Sequence, residues 1–414
     1  MGVVGARRRI AVIGGGVSGL TAAHVLRRSC DITLYEADDR LGGHAHTHDL
    51  GAHRVDSGFI VHNERTYPQL VRLFRELGVT TQDAEMSMSV SCRGCGLEYA
   101  GARGPAGLFA RPGSLVRPAY LRMLAEIPRF HRRARALLAG PDSGRTLAEF
   151  LRAGRFSPYF VRHFAIPLVS AVWSCGPPAA GGYPARYLFA FLANHGMLSV
   201  TGAPQWKTVT GGSRGYVERV AKGLGAVLTA TPVRALRRLA TGVEVRDGDG
   251  GARHFDGAVV ATHPGQALRL LADPTPAERE VLGAFTYSRN ATVLHTDESV
   301  LPRARAARAS WNYAMASCDA AGRAHVSYDL TRLQRLDAGP YLVTLNGDVP
   351  DEHVITRMAY EHPVFTRASV AAQRRLPALN DGTVAYAGAY HGWGFHEDGC
   401  RSGVEAARSL GERW

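Results

Sequence analysis

Gly14, Gly16 and Gly19 stand in the spacing G-x-G-x-x-G between an apolar run, Arg9 to Ile13, and a helical pattern from Leu20 to Arg27. Each glycine has a separate physical use. Gly14 permits the sharp turn out of a strand, Gly16 lets the backbone approach a pyrophosphate, and Gly19 lets the helix pack closely on the sheet. Val17 and Ser18 open the helix, whose free N–H groups and positive dipole end favour phosphate. Glu36, followed by Ala37, closes a second strand about 20 residues on, where a carboxylate can accept hydrogen bonds from a ribose. The combination predicts a dinucleotide-binding unit.

Other residues could do chemistry in front of such a unit. His44, His46 and His48 alternate and so line one face of an extended segment. Polar lining of the nucleotide site or its entrance is expected of them, and no metal is expected. His62 and Asn63 suit either the meeting point of chain and substrate or a solvated loop. Tyr390, His391, Trp393, Phe395, His396 and Glu397 crowd the stretch before a last helix. At least two of these side chains are expected to face the reacting group. His396 and Glu397 are candidate general bases, with Tyr390 beside them. Glu397 also suits a helix start, where a carboxylate is favourable.

The elements that must position these residues read strand, turn, helix, strand from Arg9 to Glu36, then a helix over Tyr67 to Leu77 ended by Gly78. Residues 105–192 are mostly helical and rich in Leu, Phe and Ala. They are expected to be core, with a tunnel for an apolar chain as the alternative. Gly215 to Leu224 reads as helix. Alternating strands run from Pro232 to Thr262, with a turn at Gly248 to Gly251. A strand at Thr383 to Ala387 and a helix from Asp398 to Arg413 end the pattern. The nucleotide domain is therefore expected to be discontinuous, from 8–78, 205–263 and 379–414. Segments 79–204 and 264–378 would form a substrate domain.

Arg40, Gly42 and Gly43 follow Glu36 directly, and E-x-x-x-R-x-G-G resembles the extension found in the amine oxidase and phytoene desaturase superfamily of flavoproteins. Asp56-Ser57-Gly58, the pair Gly211-Gly212 and the C-terminal YAGAYHGWGFHEDG continue the resemblance. It implies FAD as cofactor and an α/β fold. The fold would be a Rossmann-type FAD-binding domain, glutathione-reductase-like and of amine oxidase type, interleaved with a mixed α+β substrate domain. It also implies cofactor contacts at Arg40, Gly42, Gly43, His44, Val233, Ala261, Gly388, Phe395, His396 and Gly399. Ala389 departs from the family, which has an acidic residue there for the ribityl hydroxyls. RLGGHAHT, DSGFIVHNERTYP and PQW bring the chain closest to bacterial predicted NAD/FAD-binding oxidoreductases. These accompany cyclopropane-fatty-acid-synthase-like methyltransferases, which implies an apolar or lipid substrate and a methyltransferase partner.

The 414 residues carry a net charge of +13, and all basic residues except Lys207 and Lys222 are arginine. The charge is scattered without an aromatic platform, which argues against nucleic acid and leaves room for peripheral membrane contact. No apolar run reaches the ~18 residues of a membrane span, so a cytoplasmic location is expected. Six cysteines are too few for a disulfide framework at this length. Cys92 and Cys95 form a C-x-x-C read as a tight hairpin turn before Leu97-Glu98-Tyr99. A redox disulfide, or half of a zinc site without a visible second half, are the alternatives. No second G-x-G-x-x-G follows a strand, so no separate NAD(P)H domain is expected. The activity expected is oxidation at a C–C bond of an unsaturated fatty acyl substrate, by desaturation or double-bond isomerisation. Amine oxidation and non-catalytic flavin and lipid binding are the alternatives.

Overall fold

The computed structural model describes residues 7–199, 202–319 and 322–414. A five-stranded sheet forms in the order Val384–Tyr386, Gly257–Val260, Arg8–Ile13, Cys30–Tyr35, Ala226–Leu228. Every pairing in it is parallel. Ile10 and Val12 point into one buried cluster, Ala11 and Ile13 into another, so both faces are covered. That double burial explains why these strands read as continuous apolar runs.

On one face lies the helix Val17–Leu26, every residue of which is buried. The last helix, His396–Ser409, packs against it so closely that a Cβ on Gly403 would stand 2.4 Å from the Ser18 carbonyl oxygen. One on Gly399 would stand 2.6 Å from Val17 Cγ1. The last helix begins two residues earlier than the pattern suggested. The Asp398 carboxylate accepts the Phe395 N–H at 3.1 Å and closes the first turn around His396 and Glu397.

The second domain is built on a seven-stranded sheet. Its order is Val354–Val364, Thr286–His295, Leu342–Leu345, His325–Asp329, Trp311–Met315, Met88–Cys92, Leu97–Gly101. The sheet is mixed, because Trp311–Met315 runs parallel to Met88–Cys92 while the other pairs are antiparallel. The Leu/Phe-rich helices cover it. Tyr120, Phe130, Phe160, Trp173 and Phe189 share a core with the sheet residues Val90, Tyr99, Tyr313 and Val326. The hairpin expected around Cys92 and Cys95 is present.

The structure moves two of the expected domain boundaries. Helices Pro264–Leu270, Pro276–Gly283 and Arg367–Gln373 bury Ala267, Val281, Leu282 and Ala372 in the same cluster as Val260 and Val384. Cuts at 263/264 and 378/379 would split that core, so these helices belong with the parallel sheet. Among the described residues, no helix is long and apolar enough to cross a membrane.

Candidate active site

The first strand hands the chain to Gly14, whose φ of +107° and 2.7 Å approach to the Ala261 carbonyl exclude a side chain. Gly19 is held as tightly, its would-be Cβ 1.9 Å from the Gly14 oxygen. Gly16 is the opposite case: a Cβ there would meet nothing within 4 Å. It caps the helix Val17–Leu26 without a side-chain hydrogen bond, and no acid stands in the first turn. The N-terminal N–H groups are therefore left for a phosphate. Gly42 donates to the Gly15 carbonyl at 2.8 Å and brings Gly43 beside Gly16, where a Cβ on Gly43 would stand 3.4 Å from the Gly16 Cα. Glu36 is fixed by N–H donors from Gly15 at 2.6 Å and Asp38 at 2.9 Å. Each oxygen keeps a lone pair for a ribose hydroxyl. Ala37 follows it, and Val233 begins the strand Val233–Leu239 in the neighbouring cluster. An open glycine beside an uncapped helix end and an anchored carboxylate fit the adenosine pyrophosphate half of FAD.

Asp56 ties three separated motifs together. Its buried carboxylate accepts Thr47 Oγ1 at 2.6 Å, Ser213 N–H at 3.0 Å and Ser213 Oγ at 2.7 Å. Burial nevertheless pushes its pKa up to about 6. Gly58 lies under the same lock, where a Cβ would stand 2.1 Å from the His44 oxygen.

The alternating histidines do share surroundings. His46 and His48 rings lie 4.1 Å apart. His46 Nδ1 bonds to Tyr360 Oη at 2.9 Å, Ser57 Oγ to the same hydroxyl at 2.7 Å, and His48 Nε2 to Ser57 at 2.8 Å. His44 packs on Tyr360 and His362, 5.0 and 5.5 Å away. Burial, with Arg40 and the neighbouring imidazoles, holds His44 well below the ordinary histidine pKa and His46 at about 3. These rings are neutral at pH 7. His62 and Asn63 are buried rather than solvated, at 1% and 0% exposure. Asn63 Oδ1 accepts N–H from Arg65 and Thr66, whereas His62 Nδ1 is buried without a partner.

The C-terminal candidates separate. His396 stacks on Phe59, ring centroids 3.7 Å apart, with Nε2 bonded to Tyr216 Oη at 3.0 Å. Burial lowers its pKa to about 3. Glu397 is committed elsewhere. Its two oxygens accept the Gln69 and Leu70 N–H groups at 3.1 and 3.0 Å, capping the helix Pro68–Leu77. Burial raises its pKa to about 7, but the carboxylate serves as a helix cap, which displaces its expected role as a base. Tyr390 is also displaced. It is 1% exposed and packs on Phe285 at 5.3 Å in the core behind the parallel sheet. Its ring presses on Gly388, where a Cβ would meet it at 2.2 Å.

Trp393 and Phe395 join an aromatic group that the sequence did not reveal as one. Phe395 stacks on Phe191 at 4.7 Å, Trp173 lies 6.2 Å from Phe395, and Trp173 Nε1 donates to the Trp393 carbonyl at 3.0 Å. His195 bridges Phe191 and Trp206. Phe59, Tyr216, Tyr360 and Phe191 were missed because their partners lie over 100 residues away, and His195 because its ring meets Phe395 only across the fold. Of this surrounding shell, only Phe59 and Trp206 lay within motifs noted in the sequence.

Comparison with known proteins fits this geometry. A model of the flavin containing amine oxidoreductase family matches residues 17–312. Coproporphyrinogen III oxidase of Mycobacterium tuberculosis is 29% identical over 301 residues, covering 67% of this chain and 64% of the relative. The Mycobacterium leprae protein of the same name is 28% identical, over 65% and 62%. The chain thus spans less than two thirds of the length of these relatives. Among solved structures, cyclohexylamine oxidase from Brevibacterium oxydans has a TM-score of 0.69 at 17% identity, covering 98% of this chain and 99% of its own. A CLA-producing fatty acid isomerase from P. acnes also gives 0.69 at 17%, over 97% and 98%. At such identity the likeness is one of fold.

Proposed function

The chain belongs to the flavin containing amine oxidoreductase family, a group of FAD-dependent oxidoreductases, and on that premise we propose that it acts on a C–C bond of an apolar, unsaturated fatty acyl substrate. FAD, its cofactor, supplies a hydride acceptor at N5, which suits desaturation or double-bond isomerisation. The glycine cradle, Glu36 and Arg40 would hold the pyrophosphate and ribose. Trp173, Phe191, Trp393 and Phe395 would exclude water from the reacting end.

One observation carries the choice of substrate class: Phe191 and Phe395 close on each other at 4.7 Å instead of forming an open cage, and the two carboxylates beside this wall are already engaged. Glu397 is bound to two backbone N–H groups, and Asp398 to the Phe395 N–H and to Arg401 at 3.1 Å. Neither carboxylate is free to pair with a cation. Nor do Phe191 and Phe395 form an open cage, since stacked rings 4.7 Å apart leave no room between their faces for a nitrogen needing ~3.5 Å on each side. The fold is shared by a fatty acid isomerase and by amine oxidases alike, while the coproporphyrinogen relatives are named for a substrate that is not a simple amine.

Exposed Leu115, Val116 and Leu121, at 56%, 80% and 41%, lie among Arg111, Arg117 and Arg122 and support contact with an anionic lipid surface. A lipid methyltransferase is the partner that this substrate class suits, and co-purification from a native host tests it.

The experiment for the activity is anaerobic mixing of the holoenzyme with saturated and unsaturated fatty acids and phospholipids. Flavin absorbance reports desaturation, and product analysis reports isomers. Unbleached flavin and unchanged lipids across all classes would overturn the proposal. Hydrogen peroxide release from an amine panel would establish the amine reading in its place.

A further inference from the structure

The hairpin turn of Met88–Cys92 and Leu97–Gly101 sits near the edge of the seven-stranded sheet opposite Val354–Val364. There Cys92, Cys95, His163 and Cys318 converge, and one ligand atom from each lies within 4.8 Å of all the others. In sequence they are separated by more than 60 residues on one side and 150 on the other, which is why the C-x-x-C showed no second half. We propose that these four residues form a structural site for one divalent zinc ion, Cys3His in composition, that staples the helical layer to the sheet edge.

The distances support a single tetrahedral ion. With Zn–S of about 2.3 Å and Zn–N of about 2.0 Å, tetrahedral geometry sets S···S at ~3.8 Å and S···N at ~3.5 Å. Cys92 and Cys318 sulfurs are 3.8 Å apart, and Cys95 Sγ lies 3.6 Å from His163 Nε2. A disulfide needs about 2.05 Å. Three soft thiolates and an imidazole within 4.8 Å of one another favour zinc over the harder, oxygen-seeking cations.

The surroundings hold the ligands in the required state. His163 Nδ1 lies 3.1 Å from the Tyr159 carbonyl, so this nitrogen keeps its proton and Nε2 presents its lone pair. Tyr159 stacks on the same imidazole, ring centroids 4.1 Å apart, which fixes its plane. His163 sits in a widened turn, Val161–Ala165, inserted between two α-helical stretches. Such single turns are frequent at functional sites. On the hairpin, Gly96 takes φ of +68° while its N–H bonds the Cys92 carbonyl at 2.9 Å, folding both cysteines inward. Gly94 lies 3.0 Å, measured from its would-be Cβ, from the Ser317 backbone and lets Cys318 approach.

Binding releases a proton from each thiol and leaves three thiolates, one neutral imidazole and a dication, a net charge of −1. The Arg117 guanidinium reaches Tyr159 and faces His163, and among the described residues its buried Nη1 has no hydrogen-bond partner, so it is placed to offset that charge.

The test uses holoenzyme expressed with added zinc and dialysed against a weak chelator, with metal measured per chain. About one zinc per chain is expected. The pair of substitutions Cys92→Ser and Cys318→Ser should lower it at least ~10-fold, whereas Cys30→Ser, outside the cluster, should leave it unchanged. Exchange of the wild-type metal for cobalt(II) provides a reading that does not depend on the variants folding. Intense d–d bands in the red, clear of flavin absorption, report a tetrahedral thiolate site. Zinc in fewer than ~1 chain in 10, a disulfide found by thiol titration, or zinc unmoved by the double substitution would each overturn the proposal.

Discussion

Replacing Gly403 by alanine tests whether the close crossing of the cofactor helix and the last helix holds the nucleotide domain together. The new methyl would stand 2.4 Å from the Ser18 carbonyl oxygen, 3.0 Å from Thr21 Cβ and 3.1 Å from the Ala22 nitrogen. All three obstacles are backbone or rigid side chain, so the helices must separate by nearly 1 Å, an overpacking cost of ~3 kcal/mol. Alanine returns ~1 kcal/mol in helix propensity, leaving a net loss of ~2 kcal/mol. For a chain of 414 residues the unfolding entropy makes 1 kcal/mol worth roughly 1 °C. The melting temperature should therefore fall by ~2 °C. The control is Gly215→Ala in the helix Arg214–Ala221, where a Cβ meets nothing within 4 Å. Its melting temperature should rise by ~1 °C. Separation of the helices also moves the uncapped end away from the pyrophosphate, so Gly403→Ala should weaken flavin retention roughly tenfold, ~1.4 kcal/mol. Flavin fluorescence during a thermal ramp reads melting and release together. Equal shifts of the same sign in both variants, or full flavin retention in Gly403→Ala, would refute the reasoning.

Glu397→Gln should keep flavin reduction by substrate within ~3-fold, and Glu397→Ala should cost ~1–2 kcal/mol of stability, because the carboxylate is a helix cap; stopped-flow reduction and thermal melts separate the two. His62 is buried and its pKa is lowered to about 4. The unfolded chain binds a proton there below about 6.5 while the folded chain does not. The stability it provides is complete above pH 6.5 and is lost as pH falls toward 4. It amounts to ~3 kcal/mol, and a His62→Gln variant should show a correspondingly flatter acid limb in unfolding against pH. Leu115→Asp with Val116→Asp should lower partition onto anionic phospholipid vesicles at least ~10-fold in sedimentation, leaving binding unaltered if that surface does not meet lipid.

The cofactor half of the molecule was legible because its constraints are local. Gly14, Gly16, Gly19 and Glu36 lie within one strand–turn–helix–strand unit, Gly14 and Gly19 dictated by close backbone approach and Gly16 and Glu36 by what they leave open to a nucleotide. The parallel strands could be read from burial on both faces. The reacting end was less legible because its members are assembled by tertiary contact. His396 gave no sign of Tyr216, 180 residues away. Phe395 gave none of Phe191. The misplaced start of the last helix had one cause: Asp398 was read as the first helical residue although its carboxylate reaches back to Phe395. Glu397 was read as a general base or as the start of that helix, and its carboxylate instead caps the distant helix Pro68–Leu77. The boundary errors arose from helices whose apolar faces fit either domain until the core beneath them is seen.

The order of the parallel sheet has a consequence for how the protein is made. The first strand is flanked by Gly257–Val260, and the sheet is finished by Val384–Tyr386. At ~5–20 residues per second, the first strand leaves the ribosome roughly 20–75 s before its sheet can be completed. For that interval the glycine turn exists without the last helix that braces it, and apolar strand edges stand open. Flavin capture is therefore expected only after the last strand and helix have been made, late in biosynthesis.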